Sequence, residues 1–431
     1  MADKKRNVKS TIEAAPHINK KVNLEKITTI DGFTRRIAAG TEFYAGYARK
    51  ITQDFIAAVK GQKSGPGIKD EAKLRRIAVE LGIQIKDRLN NEIALELGAL
   101  ILNEFGKQQG ELLFLKRAPL KRQEIWRKLG VMPSGVDHEI ALTTGFEEND
   151  GNSRNLLMQG ARCSLANGWG CNMIAVELQD ILSGTPFPSL QKEDKSAMIT
   201  GFSPESIIYS LGGSFRGSLH PLIDNIINGR IRGIAGIFEC NNSDGDDAQV
   251  ALVKELIKND ILVLFTGDNA QGLARTGLMV YEGAKYAGEG LHSVCEAVGL
   301  PPVLHMGTSI DNCRILIAAS AIVQEGKLGD ISDLPACIAS MEVLNNQAIS
   351  IGQCFASSGF YTISSGAQPL DSNELSIDME KMFGGMWDFE TDPMRMAQKM
   401  INSIDKKRKA LGIDKARERV LYDMAMRREL T

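Results

Sequence analysis

Residues 233–240 read GIAGIFEC, residues 261–267 read ILVLFTG, and residues 302–307 read PVLHMG. Each is a short apolar run that ends in a small or polar residue. Stretches long enough for helices separate them, at 246–259, 269–298 and 311–325. Strand–helix–strand repetition of this kind predicts an α/β fold with a parallel sheet and right-handed crossovers. Residues 351–365 add a further helix–strand pair, and from about Ser376 the chain returns to charged amphipathic helix.

An open α/β sheet binds ligands outside the carboxyl ends of its strands. The residues there are Glu239-Cys240-Asn241-Asn242, Thr266-Gly267-Asp268-Asn269 and His305-Met306-Gly307-Thr308-Ser309. A thiol, a carboxylate, an imidazole and several amides and hydroxyls would meet in one crevice, a set able to ligate a metal or move protons. Asp268 and Ser309 also suit plain capping of the helices that follow. Cys240 and His305 are harder to explain as caps. The candidate catalytic residues are therefore His305 and Asp268. Cys240, Asn241, Asn242 and Ser309 are the candidate cofactor contacts.

Upstream of the strands the pattern is helical. In residues 41–60, Phe43, Tyr47, Ile51, Phe55 and Ile56 recur at spacings that give one apolar face. Residues 70–81, 92–106 and 114–129 continue the helical pattern, the last stopping at Gly130 and Pro133, and a further helix covers 172–182. The expected organisation is a helical domain over 1–186, a linker over 187–202 and an α/β domain over 203–431. The polar run FPSLQKEDK (187–195) is the core of that linker.

With 431 residues, 43% hydrophobic and 24% charged, the chain can bury more than one core, which excludes a disordered or disulfide-stapled class. A net charge of −2 gives nucleic acid no special attraction. No apolar run reaches the roughly 18 residues of a membrane helix. The basic start (Lys4, Lys5, Arg6, Lys9) has no apolar segment behind it, so it is not read as a secretory signal. The seven cysteines have no disulfide-type spacing, and a reducing cytoplasm is the expected location. None precedes Cys163, so sulfur-ligated chemistry would lie in the second part of the chain. Most of the seven suit the role of small core residues. Cys163 and Cys171 flank Asn167-Gly168-Trp169-Gly170 with a spacing that matches no zinc pattern. The P-loop, G-x-G-x-x-G, H-E-x-x-H, C-x-x-C and G-x-S-x-G signatures are all absent.

Five stretches carry a resemblance: KRQEIWRKLGVMPSGVDHEI (121–140), NLLMQGARCSLANGWGCNMIAVELQDILSGTPFP (155–188), LIDNIINGRIRGIAGIFECNN (222–242), YAGEGLHSVCEAVGLPPVLHMGTSIDN (286–312) and ISDLPA (331–336). In order and over most of the chain, they closely resemble the catalytic subunit of anaerobic nickel–iron–sulfur carbon monoxide dehydrogenases, of the prismane-like superfamily. The resemblance implies a helical domain, Rossmann-like domains, interconversion of CO and CO2 at a Ni-Fe-S cluster, and a homodimer across which further clusters pass electrons.

The sequence departs from that pattern at the chemistry. The linker joins the first domain directly to the last, so the family's middle domain, with its active-site histidine and two cysteine ligands, has no counterpart. Nor do the N-terminal cysteines of the electron-transfer clusters. Of three further ligand cysteines, Cys240 matches the first, whereas Asp268 and Ser309 stand where the second and third are expected. The proton-relaying histidines are replaced by Tyr44, Tyr47 and Lys50, and a lysine expected near the site by Gln347 or a neighbour. Carboxylate and hydroxyl are poor substitutes for the thiolates that hold such a cluster.

Three readings follow. One is a remodelled metal or redox site built from Cys240, Asp268, Ser309 and His305, with Cys163 or Cys171 as further ligands. It would hold an altered Fe-S or Ni-Fe-S cluster, or another metal. The second is a chain without a cofactor that serves as scaffold, regulator or assembly partner of a redox protein or a full-length relative. The third is CO dehydrogenase activity with ligands contributed by another chain.

Overall fold

The computed structural model describes residues 46, 48–63, 67–106, 118–129, 177–179, 181–182, 198–202, 206–208, 210, 218–238, 246–267, 270–307, 311–341, 346–365 and 379–414. Helices α1 (Glu71–Glu80) and α2 (Asn90–Gly106) match the expected helical pattern. Asp70 starts α1 by accepting from the Lys73 amide at 2.9 Å. Leu74, Ile77 and Ala78, at helical spacing, are wholly buried with Ile93, Leu97 and Ile101 of α2. Leu178 and Ile181 join this cluster.

Helix α3 (Leu120–Leu129) packs elsewhere: Trp126 belongs to the apolar cluster around the sheet, so a helix from the first 186 residues is built into the α/β core. The next elements are α4 (His220–Ile227), β1 (Gly233–Phe238), α5 (Asp246–Lys258) and β2 (Ile261–Thr266). They are followed by α6 (Gln271–Arg275), α7 (Glu289–Val298), β3 (Val303–Gly307) and α8 (Cys313–Glu325). The chain then forms β4 (Ala336–Ser340), α9 (Asn346–Ser357), β5 (Tyr361–Ser364), β6 (Met386–Phe389) and α10 (Pro393–Ala410).

The six strands form one sheet in the order β3-β2-β1-β4-β5-β6, and every neighbouring pair is parallel. The expected α/β class therefore holds. The winding runs outward from β1 through β2 to β3 and then reverses, so the switch point lies between β1 and β4. Both β1 and β2 are buried along their whole length, which explains their continuous apolar sequences. The two faces carry different helices. A side chain at Gly236 would meet Ile315 of α8 and Ile338 of β4, whereas one at Gly233 would meet Ile404 of α10. Alternate residues of a strand face opposite sides, so α8 and α10 cover opposite faces.

Two expectations change. The single helix read over 269–298 is broken into α6, a 3-10 turn over Tyr281–Tyr286, and α7. Gly277 lies at φ +73°, and Gly283 and Gly290 approach backbone so closely that a Cβ at either would lie within 3.0 Å of it. The end of the expected linker is also part of the fold. Thr200 bridges His305 in parallel fashion, and the Phe202 amide donates to the His305 carbonyl at 3.0 Å. With Ile199 and Phe202 buried, this short stretch occupies backbone groups that edge strand β3 would otherwise expose.

Candidate functional site at the carboxyl edge of the sheet

The ends of β1, β2 and β3 decide where chemistry can sit. Phe238, Thr266 and Gly307 close these three strands, which are adjacent in the sheet and point the same way. In the sequence, Cys240, Asp268 and Ser309 each follow two residues later. These three positions, with Asn241, Asn242, Cys163 and Cys171, lie outside the described residues, as do Tyr44 and Tyr47. Lys50 is an exposed partner of Asp54 at 2.9 Å, and Gln347 is the second residue of α9.

His305 lies inside β3 and is buried. Its Nε2 donates to the Gly267 carbonyl at 3.0 Å, its Nδ1 meets the Thr200 hydroxyl, and its ring stacks on Phe265. A neutral imidazole with its proton on Nε2 satisfies both contacts. This is the geometry of a satisfied core histidine, with both ring nitrogens facing protein partners.

Sequence reading missed a second buried layer at this edge. The Thr266 hydroxyl donates to Asn312 Oδ1, which ties the end of β2 to the start of α8. Arg314 pairs with Asp311 at 3.1 Å, both nearly buried, and also donates to the Met306 carbonyl. Gly307 lies at φ +142°, and a Cβ there would fall 2.5 Å from Asp311 Cγ. Asp311, Asn312 and Arg314 therefore tie the ends of β2 and β3 to the start of α8. The D-N-x-R spacing was the available signal, because residues three apart on a helix can pair.

Among the described residues, Gln249 Oε1 in α5 and Ser340 Oγ at the end of β4 are buried atoms without a hydrogen-bond partner.

Three cysteines, Cys295, Cys337 and Cys354, are core residues. They are free and buried, and burial pushes each thiol up to about 12. A metal takes the thiolate, which these environments disfavour. Native protein at pH 8 is therefore expected to leave all three unlabelled by a thiol reagent, with labelling by mass spectrometry only after denaturation. Among the described residues, no three His, Cys, Asp or Glu side chains converge as a metal site. Nor is any described helix long and apolar enough to cross a membrane.

The motifs at this edge sit within a chain-wide match. The model of the Prismane/CO dehydrogenase family matches residues 25–201 and again 190–394. The chain belongs to the prismane/CO dehydrogenase family. Carbon monoxide dehydrogenase 1 of Methanosarcina acetivorans is 31% identical over 545 aligned positions, covering 88% of this chain and 86% of the relative. Carbon monoxide dehydrogenase 1 of Methanosarcina mazei is 30% identical over 546, with the same two shares. The as-isolated, nickel-free crystal structure of carbon monoxide dehydrogenase from Thermococcus sp. AM4 superposes with a TM-score of 0.80 at 27% identity. It covers 89% of this chain and 86% of that one. Since the first alignment has 545 positions and this chain 431 residues, at least 114 positions of that carbon monoxide dehydrogenase face no residue here.

Proposed function

We propose that this member of the carbon monoxide dehydrogenase family has a remodelled metal or redox site at the carboxyl edge of its sheet and does not oxidise CO by the family's reaction. The observation that carries the reading is the set Cys240, Asp268 and Ser309, each two residues beyond one of three adjacent parallel strands. One thiol, one carboxylate and one hydroxyl do not fit a cluster that needs thiolates on most of its iron. Cys295, Cys337 and Cys354 cannot supply them, because they are protonated core thiols. A mixed thiolate–carboxylate set suits a single borderline metal ion instead, held by Cys240 and Asp268, with Cys163 or Cys171 as a further thiolate. His305 is left out of this set because of its protein partners. Free cysteines support a reducing, cytoplasmic location, and the family resemblance supports a homodimer.

The test is metal and acid-labile sulfide analysis of protein purified anaerobically from its host, together with CO-dependent reduction of a viologen dye. The expected result is metal without matching sulfide, lost in the double variant Cys240→Ala, Asp268→Ala, and no dye reduction. Nickel, iron and sulfide together with CO-dependent reduction would return the chain to the family's reaction.

A second reading is favoured by the 114 or more unmatched positions of the relative, together with family-model blocks that meet over residues 190–201. Loss of a middle domain near the linker would uncover surface that the relatives bury, and a non-catalytic assembly partner would cover it. Metal-free protein that co-purifies with another redox subunit would establish this reading in place of the first.

A further inference from the structure

Helix α10 covers one face of the sheet, and near its end Lys406, Lys407 and Arg408 meet three different environments. Lys406 is exposed, 3.7 Å from Glu380. Arg408 is buried, and its guanidinium donates to the carbonyls of Ile226, Arg232 and Ile413. Lys407 lies three residues beyond Ile404, the residue over Gly233, so it turns toward the sheet. Its Nζ donates to the Ala336 carbonyl at 3.0 Å, where β4 begins.

That carbonyl is the one hydrogen-bond acceptor of the Lys407 ammonium, which forms no ion pair among the described residues. The nearby carboxylates belong to the 3-10 turn Ile331–Asp333 and to Asp330, which caps it. Both are taken by α3. Asp330 receives Arg122 through its two oxygens, and Asp333 receives Lys121 at 3.5 Å. Cys337 of β4 stands opposite Ala235, on the face that α10 covers, and burial keeps it a thiol. Lys407 is thus an inward-turned cation without a counter-ion. Burial lowers its amine to about 8; Cys337, Asp330 and Asp333 offset this only in part, and Arg122 adds to it.

We propose that Lys407 is a site of covalent modification, whose amine takes a short acyl group from an activated donor of the acyl phosphate or thioester type. The neutral amine attacks the acyl carbon and an amide bond forms. The C–O or C–S bond of the donor breaks, and phosphate or thiol leaves with the amine proton. Lys407 is partly exposed as a residue, so a small donor has a route to it. The product keeps one N–H for Ala336 and removes the unpaired charge. A carbamate formed from carbon dioxide would instead place a third anion beside Asp330 and Asp333. The site lies at the amino-terminal edge of the sheet, so its fate is separate from that of Cys240 and Asp268.

The experiment treats the folded full-length chain, at about pH 7.5, with acetyl phosphate and separately with N,S-diacetylcysteamine, a simple thioester. After quenching and denaturation, the remaining amines are blocked with deuterated acetic anhydride. Mass spectrometry then gives the light-to-heavy acetyl ratio at each lysine against time. Lys407 is expected to gain light acetyl roughly tenfold or more faster than Lys406 and Lys409, its exposed neighbours on the helix. Its rate is expected to level off once the pH passes about 8, where the amine is already neutral. Comparison of the two donors decides between acyl phosphate and thioester. A rate at Lys407 no higher than at Lys406 and Lys409 with both donors overturns the proposal. So does a rate that climbs in parallel with theirs through the alkaline range.

Discussion

Arg122→Met is expected to lower the unfolding free energy by about 3–5 kcal/mol, read from urea denaturation near neutral pH. Arg122 and Asp330 are both 0% exposed. The guanidinium donates through Nε to Asp330 Oδ1 at 3.0 Å and through Nη2 to Oδ2. Its remaining Nη1 donates to the carbonyls of Phe383 and Ser357. The Trp126 indole, beneath the guanidinium, donates to the same Ser357 carbonyl at 3.1 Å. Methionine matches the length of the side chain but leaves Asp330 with only the Ser332 contacts and an otherwise unpaired buried charge. Burial pushes the Asp330 carboxyl up, but Arg122 and Ser332 outweigh it and hold it below its ordinary 3.8. A lowered folded-state value means that the pair contributes in full above the unfolded carboxylate range. The contribution is lost as pH falls through the folded value, below about 3.8. In the variant, burial acts with less opposition, so the carboxyl titrates higher and the acid limb of the stability curve moves up in pH. Adding Asp330→Asn should recover most of the loss, because removing the pair costs far less than breaking it. A loss under about 1 kcal/mol in the single variant would show that the pair does not hold α3 to the sheet.

The second large effect is at Gly307. Gly307→Ala is expected to cost about 3 kcal/mol or more, read from urea denaturation. Two causes add. The φ of +142° is one that only glycine adopts without strain. The new methyl would also press on Asp311, at 2.5 Å from Cγ, and Asp311 cannot yield without disturbing its pair with Arg314 and the bond from Arg314 to Met306. A cycle with Asp311→Gly separates the two: in that background the Asp311 side chain, Cβ included, is gone and the backbone strain stays, so a loss on Gly307→Ala as large there as in the wild type would show that the collision is not felt.

Both predictions rest on contacts only partly legible in the sequence. The runs GIAGIFEC, ILVLFTG and PVLHMG reveal β1, β2 and β3 because strands buried on both faces must be apolar throughout. ACIAS of β4 and MWDF of β6 are too short, and too mixed in residue size, to stand out. The start of the site was legible at the strand ends, since topology alone decides where ligands meet such a sheet. Its frame was not. Arg122 sits in a stretch of lysines and arginines that reads as a solvated face, and its partner lies 208 residues away. The partners of His305, Thr200 and Gly267, are 105 and 38 residues distant, so the sequence offered its imidazole as chemistry.

The docking of α3 also has a consequence for synthesis. The Phe383 carbonyl that receives Arg122 lies 261 residues further along the chain. At a translation rate of roughly 5–20 residues per second, Trp126 and Arg122 wait about 13 to 50 seconds after leaving the ribosome before their seat exists. During that interval the nascent chain presents an indole and a cation that the finished protein wholly buries. Chains that terminate before residue 383 never hide them, which makes such fragments natural clients for chaperones and proteases.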